Sequence, residues 1–275
     1  MEKFKNFQLP PHIFRSLFPL IILCLLLSCQ TDPLTDVNLE SSDLNLLKAP
    51  KDSDKVNTFY GPAQQLGDGV LRSAVIMSHD GTPKSIGLRI SEKVFEGLPD
   101  SETNLSLRLP NKMKGMAFDH IDFGWNPHGP EPPGIYDVPH FDIHFYMVSV
   151  DYQNNIQDPV KADILPPSEF WPATYFDTPG FVPAMGKHWL SGLADELNGL
   201  PFTKTFIYGS YDGEFHFYEP MITLAYLQEK GNEQIPIPQP AEFQRTGFYY
   251  PTTYSINYDP VKKEYLISLE NMMLR

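Results

Sequence analysis

Between Pro139 and Met147 apolar and polar positions alternate. Phe141, Ile143, Phe145 and Met147 are apolar, and His140, Asp142, His144 and Tyr146 take the positions between them. A β-strand turns successive side chains to opposite faces. The pattern therefore predicts a strand with one oily face and one face of two imidazoles, a carboxylate and a phenol. The same period of two recurs along the chain. Residues 70–77 and 85–90 flank Ser78-His79-Asp80-Gly81, and residues 205–211 and 214–223 flank Asp212-Gly213. Asp-Gly between alternating runs is a strong hairpin signal. A third hairpin is predicted from 249–257 and 264–270, turning near Asp259-Pro260. Residues 105–109 and 118–125 read as further strands, and 91–96 as one short helix capped by Ser91 and ended by Gly97 and Pro99. The 27 prolines are spread through the chain, which favours short strands over long helices. The expected fold is all-β, an antiparallel barrel or sandwich with long Pro/Gly-rich loops at 127–134 and 166–186 and at most short helices. Shaped loops on a β scaffold often rim a pocket.

The first residues break this pattern. Lys3, Lys5 and Arg15 precede an apolar run, 17–27, too short to span a bilayer comfortably, and the run ends in Leu26-Leu27-Ser28-Cys29. This resembles a bacterial lipobox, so residues 1–28 are expected to be a signal peptide and Cys29 the lipidated first residue. Gln30 follows the cysteine, with no aspartate to signal inner-membrane retention. The expected location is the bacterial cell envelope, anchored in the outer membrane and facing the periplasm or the outside. Residues 29–56, rich in Asp, Ser, Asn and Lys, read as a flexible acidic tether, and 57–275 as a single β domain.

Charge and cysteine content narrow the chemistry. The chain carries 21 basic and 34 acidic residues, a formal charge of −13. Such a surface repels phosphate backbones, so nucleic acid is excluded as a partner. Cys24 and Cys29 are the two cysteines, so the folded part has no thiol and any metal there must be held by nitrogen and oxygen. The chain has no nucleophile elbow, phosphate loop, dinucleotide fingerprint or HExxH motif, and no nucleotide cofactor is expected.

Imidazoles with carboxylates suit a divalent metal or proton transfer. The candidate metal ligands are His140, His144, His188 and Glu219, a set suited to zinc, manganese, iron or nickel. Glu219 falls between Phe217 and Met221 on what alternation makes an apolar face, where a carboxylate is costly unless paired, coordinated or protonated. The same alternation puts Phe215 on that face and turns His216 outward with Glu214, into solvent. His188 lies in a Gly/Pro-shaped loop, 182–190. On a straight strand residues four apart are separated by about 13–14 Å, so His140 and His144 share one ion only if the strand is bulged. The pairs His140/Asp142 and Asp142/His144 are the natural chelates, and either Asp142 or His140 is expected to join His144. Asp142 and Tyr146 are the candidate catalytic proton carriers. His120, Asp122 and His128 are weaker candidates near the same strand. The bland alternative is a buried polar network without an ion.

Several blocks resemble one family. They are Gly61-Pro62-Ala63 with Leu66-Gly67-Asp68-Gly69, Trp125-Asn-Pro-His-Gly129, Pro132-Pro-Gly134 with residues 136–146, Met185-Gly-Lys-His-Trp189, and 206–213 with Glu219-Pro-Met-Ile-Thr223. In order and content they resemble the TTHB-type domain family of secreted or lipid-anchored bacterial proteins, first named for a Thermus protein. The resemblance spans about 58–245 and implies no activity. It places His140, His144, His188 and Glu219 inside motif blocks. It also implies a histidine at position 130 and an acid at 191, where this chain has Pro130 and Ser191.

The function expected is a lipid-anchored envelope protein holding a divalent metal in a β-domain pocket; whether it is an enzyme is left open. The rival is a non-catalytic module that binds a small molecule or assembles as a homo-oligomer. In that case Phe170, Trp171, Tyr175, Phe248, Tyr249 and Tyr250, among the 14 tyrosines and 19 phenylalanines, would matter more than the histidines.

Overall fold

The computed structural model describes residues 55–111, 115–129 and 134–275. The expected signal peptide, Cys29 and the tether up to Asp54 lie outside these residues, as do Pro130 and Pro132. Val56, the last tether residue, already belongs to a strand. The strands are β1 (Val56–Tyr60), β2 (Gln64–Leu66), β3 (Gly69–Ser78), β4 (Pro83–Ser91), β5 (Thr103–Arg108), β6 (His120–Asn126), β7 (His140–Tyr146), β8 (Tyr175–Asp177), β9 (Lys187–Ser191), β10 (Lys204–Tyr211), β11 (Glu214–Thr223), β12 (Asn232–Pro236), β13 (Tyr249–Tyr250), β14 (Thr253–Asp259), β15 (Glu264–Glu270) and β16 (Met273–Leu274). Three short helices accompany them: α1 (Val150–Asn154), α2 (Pro159–Ala162) and α3 (Leu224–Gln228).

Two seven-stranded antiparallel sheets carry the fold. The first runs β1-β3-β4-β15-β14-β12, with β2 added beside β3, and the second runs β5-β6-β7-β11-β10-β9-β8. Neither path closes on itself, so the arrangement is an open two-sheet one and not a barrel. Their inner faces share one hydrophobic core, with Leu71, Val75, Ile86, Leu88 and Ile267 from the first sheet meeting Ile121, Phe123, Phe141, Ile143 and Phe145 from the second. Phe206 of β10 lies 5.1 Å from Tyr254 of β14 across this interface, and Phe95 touches both Phe141 at 5.5 Å and Tyr265 at 5.0 Å. Burying each such side chain fully stabilises by about 1.5–3 kcal/mol. Among the described residues no helix is long and apolar enough to cross a membrane.

All three predicted hairpins form. β3 pairs with β4, β10 with β11 and β14 with β15. The 249–257 segment is interrupted at Pro251, which lies between the two-residue β13 and β14. The helix expected at 91–96 is a single 3-10 turn, Glu92–Phe95, and Ser91 does not cap it. Its hydroxyl instead accepts from the Val70 amide at 3.0 Å, tying the turn to β3.

Candidate metal centre

Because Phe141, Ile143 and Phe145 of β7 face the shared core, His140, Asp142, His144 and Tyr146 are on the opposite, outer face of the second sheet. All seven residues of β7 are nevertheless buried. The outer face is roofed by connecting segments: Tyr136 and Phe202 pack on Ile207 and Met221, and Val148 and Met185 pack near Tyr146 and Phe217. Ser149 caps α1 by accepting from the Tyr152 amide at 3.2 Å. α1 holds Gln153 beside His120 at 2.9 Å and lets it donate to Asp122 at 2.6 Å. The polar stripe of β7 is thus a second interior, lined by imidazoles and carboxylates and flanked by two small apolar clusters.

Neighbouring strands bring the remaining groups. β11 pairs with β7 so that Met221 opposes Asp142 and Phe217 opposes Tyr146, which sets Glu219 level with His144. β10 pairs with β9 so that Gly209 opposes His188, and Gly209 also opposes Phe217 of β11. His188 and Glu219 therefore lie two strands apart, about 10 Å across the sheet, and their side chains meet above β10. Gly209 is what leaves the room: a Cβ there would sit 1.9 Å from the Phe217 ring, which packs edge-on to His188 at 5.5 Å.

His144, His188 and Glu219 offer ligand atoms that all lie within 4.8 Å of one another. His144 Nε2 is 3.3 Å from Glu219 Oε1, and His188 Nε2 is 3.8 Å from Glu219 Oε2. An ion about 2.1 Å from each donor wants donor–donor edges of about 3.0–3.4 Å, so the widest pair must close by up to about 1.4 Å to complete the set. The group has the donor types and spacing to hold a metal ion. His144 and Glu219 are each 3 % exposed. The His188 side chain, at 21 %, is the wetter edge of the group.

The electrostatics agree with that donor set. Burial pushes the Glu219 carboxyl well above the usual carboxylate range, and the charge of Asp142 adds to the shift. Burial holds His144 below the usual imidazole value against the pull of Asp142 and Asp122. It brings His188 down to about 4, with the nearby His144 contributing. His144 Nε2 and Glu219 Oε2 have no hydrogen-bond partner among the described residues. No lysine or arginine pairs with Glu219 or Asp142 there either. Both imidazoles are favoured in the neutral form, and burial favours the protonated Glu219 carboxyl when nothing compensates its charge.

His140 does not join this group. Its Nδ1 lies 2.7 Å from the Val138 carbonyl, and its Nε2 is 3.2 Å from Asp142 Oδ1. The straight strand keeps it away from His144, as the spacing of β7 requires. Burial acts to lower its pKa, but the Asp142 carboxylate, with help from Val138, outweighs burial and raises it. Asp142 also accepts from Asn126 Nδ2. Tyr146 is fully buried, donates to the Ala184 carbonyl at 3.2 Å, and is stacked between His120 at 4.9 Å and His144 at 5.8 Å. His120 sits 3.0 Å from Asp119 Oδ1, while His128 is exposed.

Three sequence expectations need correction. His188 is on strand β9 and not in a loop. His216 is 1 % exposed and lies 6.0 Å from the Tyr146 ring, while Phe215 packs against the shared core. The cause is a β-bulge: the register shifts between Gly209 and Ser210, so Gly209 opposes Phe217, Ser210 opposes Phe215, and His216 has no opposite residue. One extra residue reverses the alternation, moving His216 inward and Phe215 to the other face. Burial then pushes His216 down to about 3. Glycine inside a strand pattern is the signal that marks such a bulge, and Gly209 supplied it. Sequence reading also passed over Tyr136, whose hydroxyl donates to the buried Glu196 at 3.0 Å and whose pKa is raised by burial and by nearby carboxylates, Glu219 among them.

The aromatics assigned to a groove divide differently. Tyr175 and Tyr250 are in the core, Trp171 and Tyr249 pack against it, Phe170 is half-buried and Phe248 is 38 % exposed.

Residues 78–125 match the family model TTHB210-like, described as hypothetical protein TTHB210, which bears out the family resemblance over that stretch. The match runs from the end of β3 into β6 and stops before β7, so it includes none of the three grouped ligands. No curated protein and no solved structure matches the chain.

Proposed function

We propose that this is a lipid-anchored protein of the bacterial cell envelope that binds one divalent metal ion through His144, His188 and Glu219. The observation that carries the reading is Glu219, a carboxylate 3 % exposed with an unpartnered oxygen among the described residues and the Nε2 atoms of His144 and His188 at 3.3 and 3.8 Å. Burying such a group uncompensated is costly, and a dication removes the cost while using the imidazole lone pairs. Two histidines and one carboxylate without sulfur suit zinc or iron(II), with manganese and nickel as further candidates. The lipobox-like Leu26-Leu27-Ser28-Cys29 supports the anchor and envelope location.

Three protein ligands leave coordination positions free, so a bound ion would supply Lewis acidity and a more acidic bound water. Among this chain's own groups, Asp142 stands two residues from His144 on the same face, and its negative charge raises the proton affinity of the His144 ring. Tyr146 holds the His144 ring by stacking and keeps its own proton, since burial raises its pKa well above the ordinary phenol value.

Elemental analysis of protein purified without chelator or nickel resin tests the metal. One equivalent lost from folded His144→Ala and Glu219→Gln variants relative to wild type supports the reading. Metal content equal to wild type in both variants, or none in wild type even after addition, refutes it. For the anchor, mass spectrometry of the membrane-extracted chain should find a diacylglyceryl group on Cys29, and Cys29→Ala should release the protein from the membrane.

A further inference from the structure

His140 and Asp142 remain outside the three-ligand group, yet both are built as ligands. His140 is 0 % and Asp142 9 % exposed. A carbonyl oxygen only accepts, so at 2.7 Å from Val138 O the Nδ1 of His140 must carry the proton. In the neutral ring that leaves the lone pair on Nε2, the arrangement by which a backbone carbonyl orients a metal-binding histidine. Asn126 does the same for Asp142, donating to Oδ2 and leaving Oδ1 free. The two remaining atoms, His140 Nε2 and Asp142 Oδ1, are 3.2 Å apart and buried. Neither has an aligned hydrogen-bond partner among the described residues.

This separation has a meaning. An ion about 2.1 Å from one nitrogen and one oxygen sets them about 3.0 Å apart at a right angle and about 3.4 Å apart at a tetrahedral one. The observed 3.2 Å lies between. Alternate positions of one strand put both side chains on one face without any bulge, so the chelate is local to β7 and needs no distant element. Asp142, like Glu219, has no lysine or arginine partner among the described residues.

We propose that the outer face of the second sheet holds a second divalent-cation site, chelated by His140 Nε2 and Asp142 Oδ1 with water completing the shell, distinct from the ion at His144, His188 and Glu219. It adds to the one-ion reading above and is tested separately from it. The experiment is equilibrium dialysis of the full chain, stripped of metal, against zinc or cobalt(II), with bound metal counted. Wild type is expected to take up two equivalents. His140→Gln and Asp142→Asn should each lose one and keep the other, and His188→Gln should lose the complementary one. A single equivalent in wild type that survives both His140→Gln and Asp142→Asn overturns the second site alone and leaves the pair sharing a proton. Two equivalents unchanged by either substitution also overturn it. No uptake by wild type overturns both sites, and that count needs no variant to fold.

Discussion

Glu219 is the residue on which most of the chemistry turns. Its pKa is raised in the folded state, so folding is favoured below the unfolded value of about 4.5 and stability is lost as pH rises through the folded value. Metal-free Glu219→Gln should therefore melt higher than metal-free wild type at pH 7–8, and the gap should vanish near pH 4. A variant that melts lower at pH 7 would contradict the buried, unpaired carboxyl. The imidazoles act in the opposite direction. His144, His188 and His216 have folded values below about 6.5, so the folded state holds fewer protons than the unfolded chain. Their contribution is intact above about 6.5 and is lost as pH falls from there toward the folded values of about 4 for His188 and about 3 for His216. Melting temperature measured from pH 7 to pH 4 should fall, and His216→Phe should shallow that fall. An unchanged slope would mean that His216 is not held neutral.

Strands show both what sequence could supply and where it stopped. β7 was legible because seven residues alternate without interruption and β-period side chains leave no choice of face. The hairpins were legible because Asp-Gly fixes a turn and its register. Placing Glu219 with His144 followed from counting along β11 from Phe217. Counting from Phe215 failed, because the bulge at Gly209 inserts one residue and exchanges the faces of Phe215 and His216. Gly186 and Pro183 dominate the approach to β9 and give it a loop-like pattern, although His188, Trp189 and Leu190 form a short paired strand. Pairing across strands is non-local, and no local pattern reports it. The bulge and the close seat of Phe217 give a test: Gly209→Ala, with a Cβ 1.9 Å from that ring, should destabilise the protein by about 1–3 kcal/mol by overpacking. It should weaken metal binding too, since Phe217 packs on both His144 and His188. Wild-type melting in this variant would show that Phe217 is free to move.

At the scale of the molecule, the second sheet has apolar side chains on its core face and a roofed polar stripe on the other. Folding must bury that stripe before any ion can reward it, and an ion that binds only the folded state stabilises by mass action. At a thousandfold excess over Kd that amounts to about 4 kcal/mol. Zinc or iron(II) should raise the melting temperature, chelator should reverse the rise, and His188→Ala should show a smaller one. The roof is what encloses the five histidines of that face, and nothing in the pattern of β7 says that Tyr136, Phe202, Val148 and Met185 return to cover it. The most direct measurement is anomalous diffraction from crystals of the metal-loaded protein, recorded on both sides of the metal's absorption edge. A peak about 2.0–2.3 Å from His144 Nε2, His188 Nε2 and a Glu219 oxygen is the predicted result. Crystals soaked in excess metal that show no peak there, or peaks at surface carboxylates alone, would contradict the metal centre.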